Sequence, residues 1–265
     1  METIVETQNL TRRFGKFTAV DNLSLSVRQG EIFGLIGPNG AGKSTLIKML
    51  TTLLPPTSGQ ARVAGRDLLR QPAEVRARIG YVPQLLSADS SLTARENLLL
   101  SARLYLIPAA ERAPRIAASL DLMGLTDSAD HQVQGYSGGM IRRLEIAQAM
   151  IHRPAVLFMD EPTVGLDPVA RHVVWNSIRQ LRERNSTTIL LTTHLMDEID
   201  ALSERVGVLH RGRLEQVGTP AELKAKVGPG ATMDDVFAHI TGAALETGGN
   251  LRDVRETRRS SKSHA

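Results

Sequence analysis

The sequence feature that most constrains this chain is a glycine-rich segment, GPNGAGKST, at residues 37–45. It fits the pattern G-x-x-x-x-G-K-[ST], and it lies between an apolar strand pattern at 31–36 and a helical pattern at 45–54. Glycines keep side chains out of the way, so that backbone N–H groups can converge on an anion. The segment therefore predicts a phosphate loop that binds ATP.

The residues of this loop have distinct expected roles. Lys43 is expected to reach the β- and γ-phosphates, and the Ser44 hydroxyl is expected to ligate Mg²⁺. The helix that follows adds free N–H groups and the positive end of its dipole. The predicted nucleotide-binding residues of the loop are Gly37, Pro38, Asn39, Gly40, Ala41, Gly42, Lys43, Ser44 and Thr45.

Two carboxylates, Asp160 and Glu161, follow directly on an apolar strand pattern at 155–159. In an open α/β sheet the ligand binds beyond the carboxyl ends of the strands, so this pair is expected beside the phosphate loop. Asp160 is suited to hold Mg²⁺ through its water shell, and Glu161 is suited to polarise an attacking water as general base. The pair therefore predicts that bound ATP is hydrolysed.

The rest of the chain alternates strand and helix patterns. Strands are expected at 23–27, 187–193 and 205–210, with an amphipathic helix at 169–184, which indicates a mainly parallel sheet covered on both faces. Between residues 92 and 150 the strand signals vanish and helical periodicity takes over, which predicts an inserted helical subdomain. Two short helices are expected at 220–227 and 233–240.

Charge and hydropathy narrow the class of protein. The net charge is +4, but residues 252–265 carry +3 of it and the other 251 residues only +1, so the body gives no footprint for nucleic acid. The tail is expected to be disordered, with contact to anionic lipid as the alternative. No apolar run nears the ~18 residues that span a bilayer, and the N-terminus lacks the basic-then-apolar layout of a signal peptide. Cysteine is absent, so no disulfide is expected.

A second glycine turn follows at Ser137, Gly138 and Gly139. Ser137 is a natural N-cap for the helical pattern that runs to Met150, and the glycines leave the start of that helix open to an anion. Alone the turn is typical of an ordinary capped helix. Beside a phosphate loop it is a second phosphate site that one nucleotide does not need.

Taken together, these motifs resemble the ATP-binding subunits of ABC transporters over residues 1–240. The family's phosphate loop, signature turn and Walker B strand correspond to 37–45, 137–139 and 156–161. Gln84 matches the glutamine loop, Asp167 the D-loop and His194 the switch histidine. Phe14 falls where the family stacks an aromatic ring on adenine, with Val20 beside it.

The resemblance implies the P-loop NTPase fold of ABC ATPases, an α/β fold. A mainly parallel sheet core would carry an antiparallel N-terminal β subdomain and an inserted helical subdomain. The implied division is an ATP-binding domain at 1–218, with the helical subdomain at about 88–150 inserted, a short C-terminal helical extension at 219–242, and a basic tail at 243–265.

The resemblance also implies a mechanism shared between two subunits. In a head-to-tail homodimer, the signature turn of each subunit would cap the γ-phosphate held by the other. Asp167 and the signature residues Ser137, Gly138 and Gly139 are thus also implied to bind nucleotide. Gln84 would contact Mg²⁺ and the attacking water, and His194 would hold the γ-phosphate and orient Glu161. The implied catalytic residues are thus Glu161, His194 and Gln84, and the implied metal-binding residues are Ser44, Gln84 and Asp160.

Two departures from the common signature point to a branch of the family. Tyr136 stands where leucine is usual and Met140 where glutamine is usual, a variant similar to the daunorubicin-type and nodulation-export branches. That branch implies export of a drug, lipid or saccharide through a separate integral-membrane permease, at the cytoplasmic face of the cell membrane. An importer subunit, and a non-transport ATPase acting on ribosomes or nucleic acid, remain the alternatives.

Overall fold

The computed structural model describes residues 2–242, which form two sheets with helices around them. The strands are β1 (Thr3–Phe14), β2 (Phe17–Arg28), β3 (Ile32–Ile36), β4 (Ser58–Val63), β5 (Arg66–Asp67), β6 (Ile79–Val82), β7 (Val156–Asp160), β8 (Thr188–Thr193), β9 (Arg205–His210) and β10 (Arg213–Gly218). The α-helices are α1 (Lys43–Leu50), α2 (Pro72–Arg76), α3 (Ala94–Leu104), α4 (Ala109–Leu122), α5 (Gly138–Met150), α6 (Pro168–Asn185), α7 (Met196–Leu202), α8 (Pro220–Val227) and α9 (Met233–Thr241).

The larger sheet is the core of the molecule. Its strand order is β10-β9-β3-β8-β7-β6, and all neighbours are parallel except the edge pair of β9 and β10. The central strands β3, β7 and β8 are buried on both faces, as their continuous apolar sequences require. The predicted α/β fold with a mainly parallel sheet is confirmed.

The smaller sheet is antiparallel, with the order β2-β1-β4-β5, as predicted for the N-terminal region. Successive residues of β3 face opposite sides, so Phe33 and Leu35 join the core shared with this sheet and α1. Ile32 and Ile36 face the other core, which the helices cover. The strand that ends at the phosphate loop is therefore fixed from both sides.

The helical region carries α3, α4 and α5. Among the described residues its only strand-like contact is an isolated bridge between Thr93 and Gln132. Thr93 also caps α3 in a capping box with Glu96. The buried side chains of α5, including Leu144 and Ile146, belong to the core that also contains the parallel sheet.

Some element boundaries differ from those the sequence predicts. The helix expected at 45–54 runs from Lys43 to Leu50, because Thr52 has a left-handed φ of +63°, which an α-helix cannot continue through. The diproline at Pro55 therefore lies beyond the helix end rather than at it. Helix α7 and strand β10 were not predicted, because both are short and mix polar with apolar residues.

The C-terminal helices α8 and α9 pack against the same core as the helical region, through Leu223, Met233 and Phe237. They lie where the sequence predicts them. The predicted basic tail at 243–265 lies outside the described residues. Within residues 2–242, no helix combines the length and apolarity that crossing a bilayer requires.

Candidate active site

The site lies where parallel strands of the larger sheet end. The phosphate loop follows β3, and Glu161 and His194 follow β7 and β8. Gln84 lies just beyond the end of β6. Because these strands are parallel neighbours, their carboxyl ends meet at one edge, the usual ligand position in an open α/β sheet.

The phosphate loop surrounds a cavity of about 320 Å³. Gly42 is required there, since its φ is +108° and a Cβ atom would lie 2.4 Å from the carbonyl oxygen of Ala19. Helix α1 begins at the next residue, so its free N–H groups point toward the loop. The cavity is lined by Phe17, Ala19, Pro38, Asn39, Gly40, Gly42, Lys43, Ser44, Thr45, Gln84 and Glu161.

Lys43 lies buried between the loop and the acidic pair. Its Nζ donates to the carbonyl oxygens of Gly37 at 2.7 Å and Pro38 at 3.2 Å, and lies 3.3 Å from Glu161 Oε1. Burial lowers the pKa of Lys43, and the attraction of Glu161 and Asp160 opposes that shift. The ammonium is thus held at the loop by neighbours of opposite charge.

Glu161 is the centre of the site. Its φ of +50° is unusual for a non-glycine residue, and its backbone N–H donates to the carbonyl oxygen of Thr192 at 3.0 Å. Its Oε2 accepts a hydrogen bond from the Gln84 amide at 3.2 Å. Its Oε1 lies 3.4 Å from His194 Nδ1, without hydrogen-bond alignment in the described structure.

Asp160 lies beside the first turn of α1. Its Oδ1 accepts hydrogen bonds from Ser44 Oγ at 3.1 Å and Thr192 Oγ1 at 2.6 Å. Hydroxyl, carboxylate and amide oxygens are ligands that Mg²⁺ accepts together with phosphate oxygens and water. The Ser44 hydroxyl and the Asp160 carboxylate are donors of this type, so they fit Mg²⁺. Within the described residues no group of three or more His, Cys, Asp or Glu side chains could hold a metal ion.

The signature turn is separate from this cavity. Ser137 caps α5, as predicted, by accepting a hydrogen bond from the Met140 N–H at 3.3 Å. A Cβ atom at Gly139 would lie 2.9 Å from the Ala170 methyl carbon, so the glycine allows α5 to approach α6 closely. Asp167 caps α6 through Ala170 N–H at 2.9 Å. Ser137, Gly138, Gly139 and Asp167 are not among the described residues that line the cavity.

The two predicted adenine contacts, Phe14 and Val20, differ in their exposure to solvent. Phe14 is half-exposed at the end of β1, where the Arg12 guanidinium lies 4.6 Å from its ring centre. Val20 is fully buried under the loop and does not line the cavity. Phe17, the cross-strand partner of Phe14, does line it. The role of Phe14 stays a prediction, and Phe17 is a second candidate for the adenine contact.

Sequence reasoning missed three residues of this site, Phe17, Ala19 and Thr192. Phe17 could have been found from the β-hairpin that pairs it with Phe14. Thr192 could have been found from its position two residues before His194, on a strand parallel to the one that ends in Asp160. A larger cavity of about 560 Å³, beside β4 and β5, contains none of the phosphate-loop or acidic-pair residues.

The charged side chains of the site, Lys43 and Glu161, are suited to bind a phosphate and to activate a water beside it. A phosphate held by loop N–H groups and Lys43 would lie close to Glu161, which can accept a proton from an attacking water. Mg²⁺, when bound, would neutralise the charge that develops on the phosphates. Fold and site together define a P-loop nucleotide hydrolase.

Comparison with known proteins gives the particular family. The ABC transporter family model matches residues 20–164. The chain is 46% identical over 224 residues to the daunorubicin/doxorubicin resistance ATP-binding protein DrrA of Streptomyces peucetius, covering 84% of this chain and 68% of that protein. It is 43% identical over 224 residues to Nod factor export ATP-binding protein I of Paraburkholderia xenovorans (strain LB400), covering 84% and 73%.

A solved structure agrees with these sequence matches. It is a dimeric ATP-binding cassette in a post-hydrolysis state bound to ADP and Pi, with a TM-score of 0.72 and 27% identity, covering 81% of this chain and 98% of that chain. The chain belongs to the ABC transporter family, as an ATP-binding and ATP-hydrolysing subunit. The resemblance predicted from its motifs is confirmed.

Proposed function

We propose that this subunit works as a homodimer that hydrolyses Mg²⁺-ATP to drive export through a separate membrane permease. The observation that carries the catalytic assignment is the position of Glu161, whose carboxylate contacts Lys43, Gln84 and His194. The names of the relatives, one for daunorubicin/doxorubicin resistance and one for Nod factor export, support the export direction. The transported molecule would be a drug, lipid or saccharide, and the subunit would work at the cytoplasmic face of the cell membrane.

The homodimer is supported by the position of the signature turn. Ser137 and its glycines present an open helix start, yet they lie apart from the cavity of their own subunit. A second subunit, docked head to tail, would supply its signature turn to this cavity and complete it. Each nucleotide would then be held by the phosphate loop of one subunit and the signature turn of the other.

A mixing experiment tests this shared site. Lys43→Ala and Ser137→Ala subunits, each nearly inactive alone, are expected to regain ATPase activity when mixed. The mixed dimer has one site with both defects and one with neither, so it should reach up to about half the wild-type turnover per dimer. Turnover is measured across a titration of one variant into the other.

The control is a substitution that removes a different helix N-cap. Loss of an N-cap costs ~1 kcal/mol of stability, so Thr93→Ala, which removes the cap of α3, is the matched control and should stay active. Mixtures that stay as inactive as the separate variants would mean that each subunit uses its own signature turn, and the shared site would be wrong.

The surface for the permease is proposed to lie beside the Gln84 loop, where leucines are exposed to solvent. Leu85 is 82% exposed and follows Gln84 directly. On α3, Leu100 and Leu104 are four residues apart and therefore on one face, and both are exposed. Asn97 ties this helix to the loop by bonding both backbone groups of Asp89.

A substitution on the Leu100–Leu104 face of α3 should weaken binding to the permease without changing ATP hydrolysis. Leu104→Glu is expected to weaken co-purification with the permease about 10-fold or more, because it buries a charge at an apolar contact, while basal ATPase stays unchanged. Leu69→Glu, an exposed leucine after β5, is the control. Equal co-purification of Leu104→Glu and wild type would exclude this face, and a permease with an importer's architecture would overturn the export assignment.

A further inference from the structure

Two side chains of α5 hold the loop that carries Gln84. Arg142 donates from Nη1 to the carbonyl oxygen of Pro83 at 2.7 Å, and from Nη2 to that of Gln84 at 2.8 Å. Glu145 accepts hydrogen bonds from the backbone N–H of Ser87 and from its hydroxyl, the latter at 3.1 Å. The loop is therefore fastened at both ends to one helix.

The two clamping side chains also form a buried ion pair with each other. Arg142 Nη1 lies 2.9 Å from Glu145 Oε2, and their side chains are only 3% and 2% exposed. Removing two charges from water is costly, and a buried pair often adds little stability over apolar residues of similar volume. The four bonds to the loop are the contacts that apolar side chains could not replace.

The loop held by Arg142 and Glu145 contacts the nucleotide site on one side and is exposed to solvent on the other. On the inner side the Gln84 amide donates to Glu161, and on the outer side Leu85 and Leu86 are exposed. The clamping helix α5 begins at the signature turn, with Ser137 as its cap. One rigid helix thus connects the loop next to Glu161 with the turn that lies outside this subunit's own cavity.

We propose that Arg142 and Glu145 are positioning residues that join the Gln84 loop to the signature helix. Gln84 and Ser137 then move as one body, and a displacement of Leu85 by a membrane partner reaches both the nucleotide site of its own subunit and that of the neighbouring subunit. The inference rests on the proposed roles of Gln84 and Ser137 in a shared site.

Replacing the pair by apolar residues tests this role while keeping the fold. In the full-length chain, Arg142→Met with Glu145→Leu should fold, because similar volumes fill the site without an unpaired charge. Turnover should fall about 10- to 100-fold from misplacement of Gln84. ATP affinity should be unchanged, since Lys43 and its loop are not altered, and hydrogen exchange at the Ser87 amide should be faster.

A double-mutant cycle with Gln84→Ala separates positioning from general support. If the pair acts through Gln84, its replacement should lower turnover in the wild-type background and have little further effect in Gln84→Ala. Equal fold-losses in both backgrounds would overturn the positioning role and leave the proposed function standing. Wild-type turnover in Gln84→Ala itself would overturn the role of Gln84, and with it this inference.

A conservative change at Arg142 and the loss of an exposed ion pair distinguish the bonds to the loop from general effects of charge. Arg142→Lys retains a charge for Glu145 but has one nitrogen in place of Nη1 and Nη2, which bond two different carbonyl oxygens. It should therefore also lower turnover and speed Ser87 exchange. Arg95→Ala with Asp130→Ala removes an exposed pair in the same helical region and should change neither quantity. Wild-type turnover and exchange in Arg142→Lys would overturn the inference.

Discussion

Glu161→Gln is expected to bind ATP with near wild-type affinity and to lose turnover by about 10²- to 10⁴-fold. The glutamine has the same shape, so it can keep a contact with the Gln84 amide, which lies 3.2 Å from Glu161 Oε2. Its amide cannot accept the proton of an attacking water. The variant should therefore accumulate as an ATP-bound dimer, measured by size-exclusion chromatography with Mg²⁺-ATP beside a steady-state phosphate assay.

The control for this variant is another glutamate to which no role is assigned. Glu215→Gln, an exposed position on β10 that does not line the phosphate-loop cavity, makes the same chemical change and should hydrolyse ATP at the wild-type rate. Glu161→Asp should retain only a small part of the activity, since a shorter side chain moves the carboxylate away from Lys43 and Gln84. Hydrolysis by Glu161→Gln at the wild-type rate would remove Glu161 as general base.

The sequence predicts the framework of the site because strong local patterns determine it. The glycine-rich loop, the apolar strand ending at Asp160 and the strand ending before His194 each have a distinctive period or composition. Parallel order then brings their carboxyl ends together. Local chemistry likewise predicts the Ser137 cap, and the structure shows it.

Other features depend on contacts between distant segments, which one sequence does not reveal. Phe17 reaches the cavity because β1 pairs with β2 in a register that places Phe14 opposite Phe17. Thr192 is set beside Asp160 by strand register, and the hydrogen bond from Arg142 to Pro83 joins residues far apart in the chain. The end of α1 at Leu50 was missed because the apolar pattern continues to Leu54, while the left-handed backbone of Thr52 that ends the helix leaves no sign in that pattern.

Lys43→Ala is expected to reduce ATP affinity by about 10- to 100-fold or more, because a charge-assisted contact with the phosphates is lost. In a thermal melt, ATP at about ten times the wild-type Kd should raise the Tm of wild type and of Glu161→Gln, because a ligand that binds the folded state stabilises it. At the same ATP concentration the Tm of Lys43→Ala should barely move. The three melts thereby distinguish failure to bind from failure to hydrolyse.

The charge and the packing of Lys43 can also be separated. Lys43→Met fills much of the same buried volume but leaves Glu161 and Asp160 without their cation, as Lys43→Ala does. Both variants should therefore fail to respond to ATP, while the free energy of unfolding should be lower for Lys43→Ala because of the added cavity. An ATP-induced rise in Tm equal to that of wild type in Lys43→Met would show that the ammonium does not hold the nucleotide.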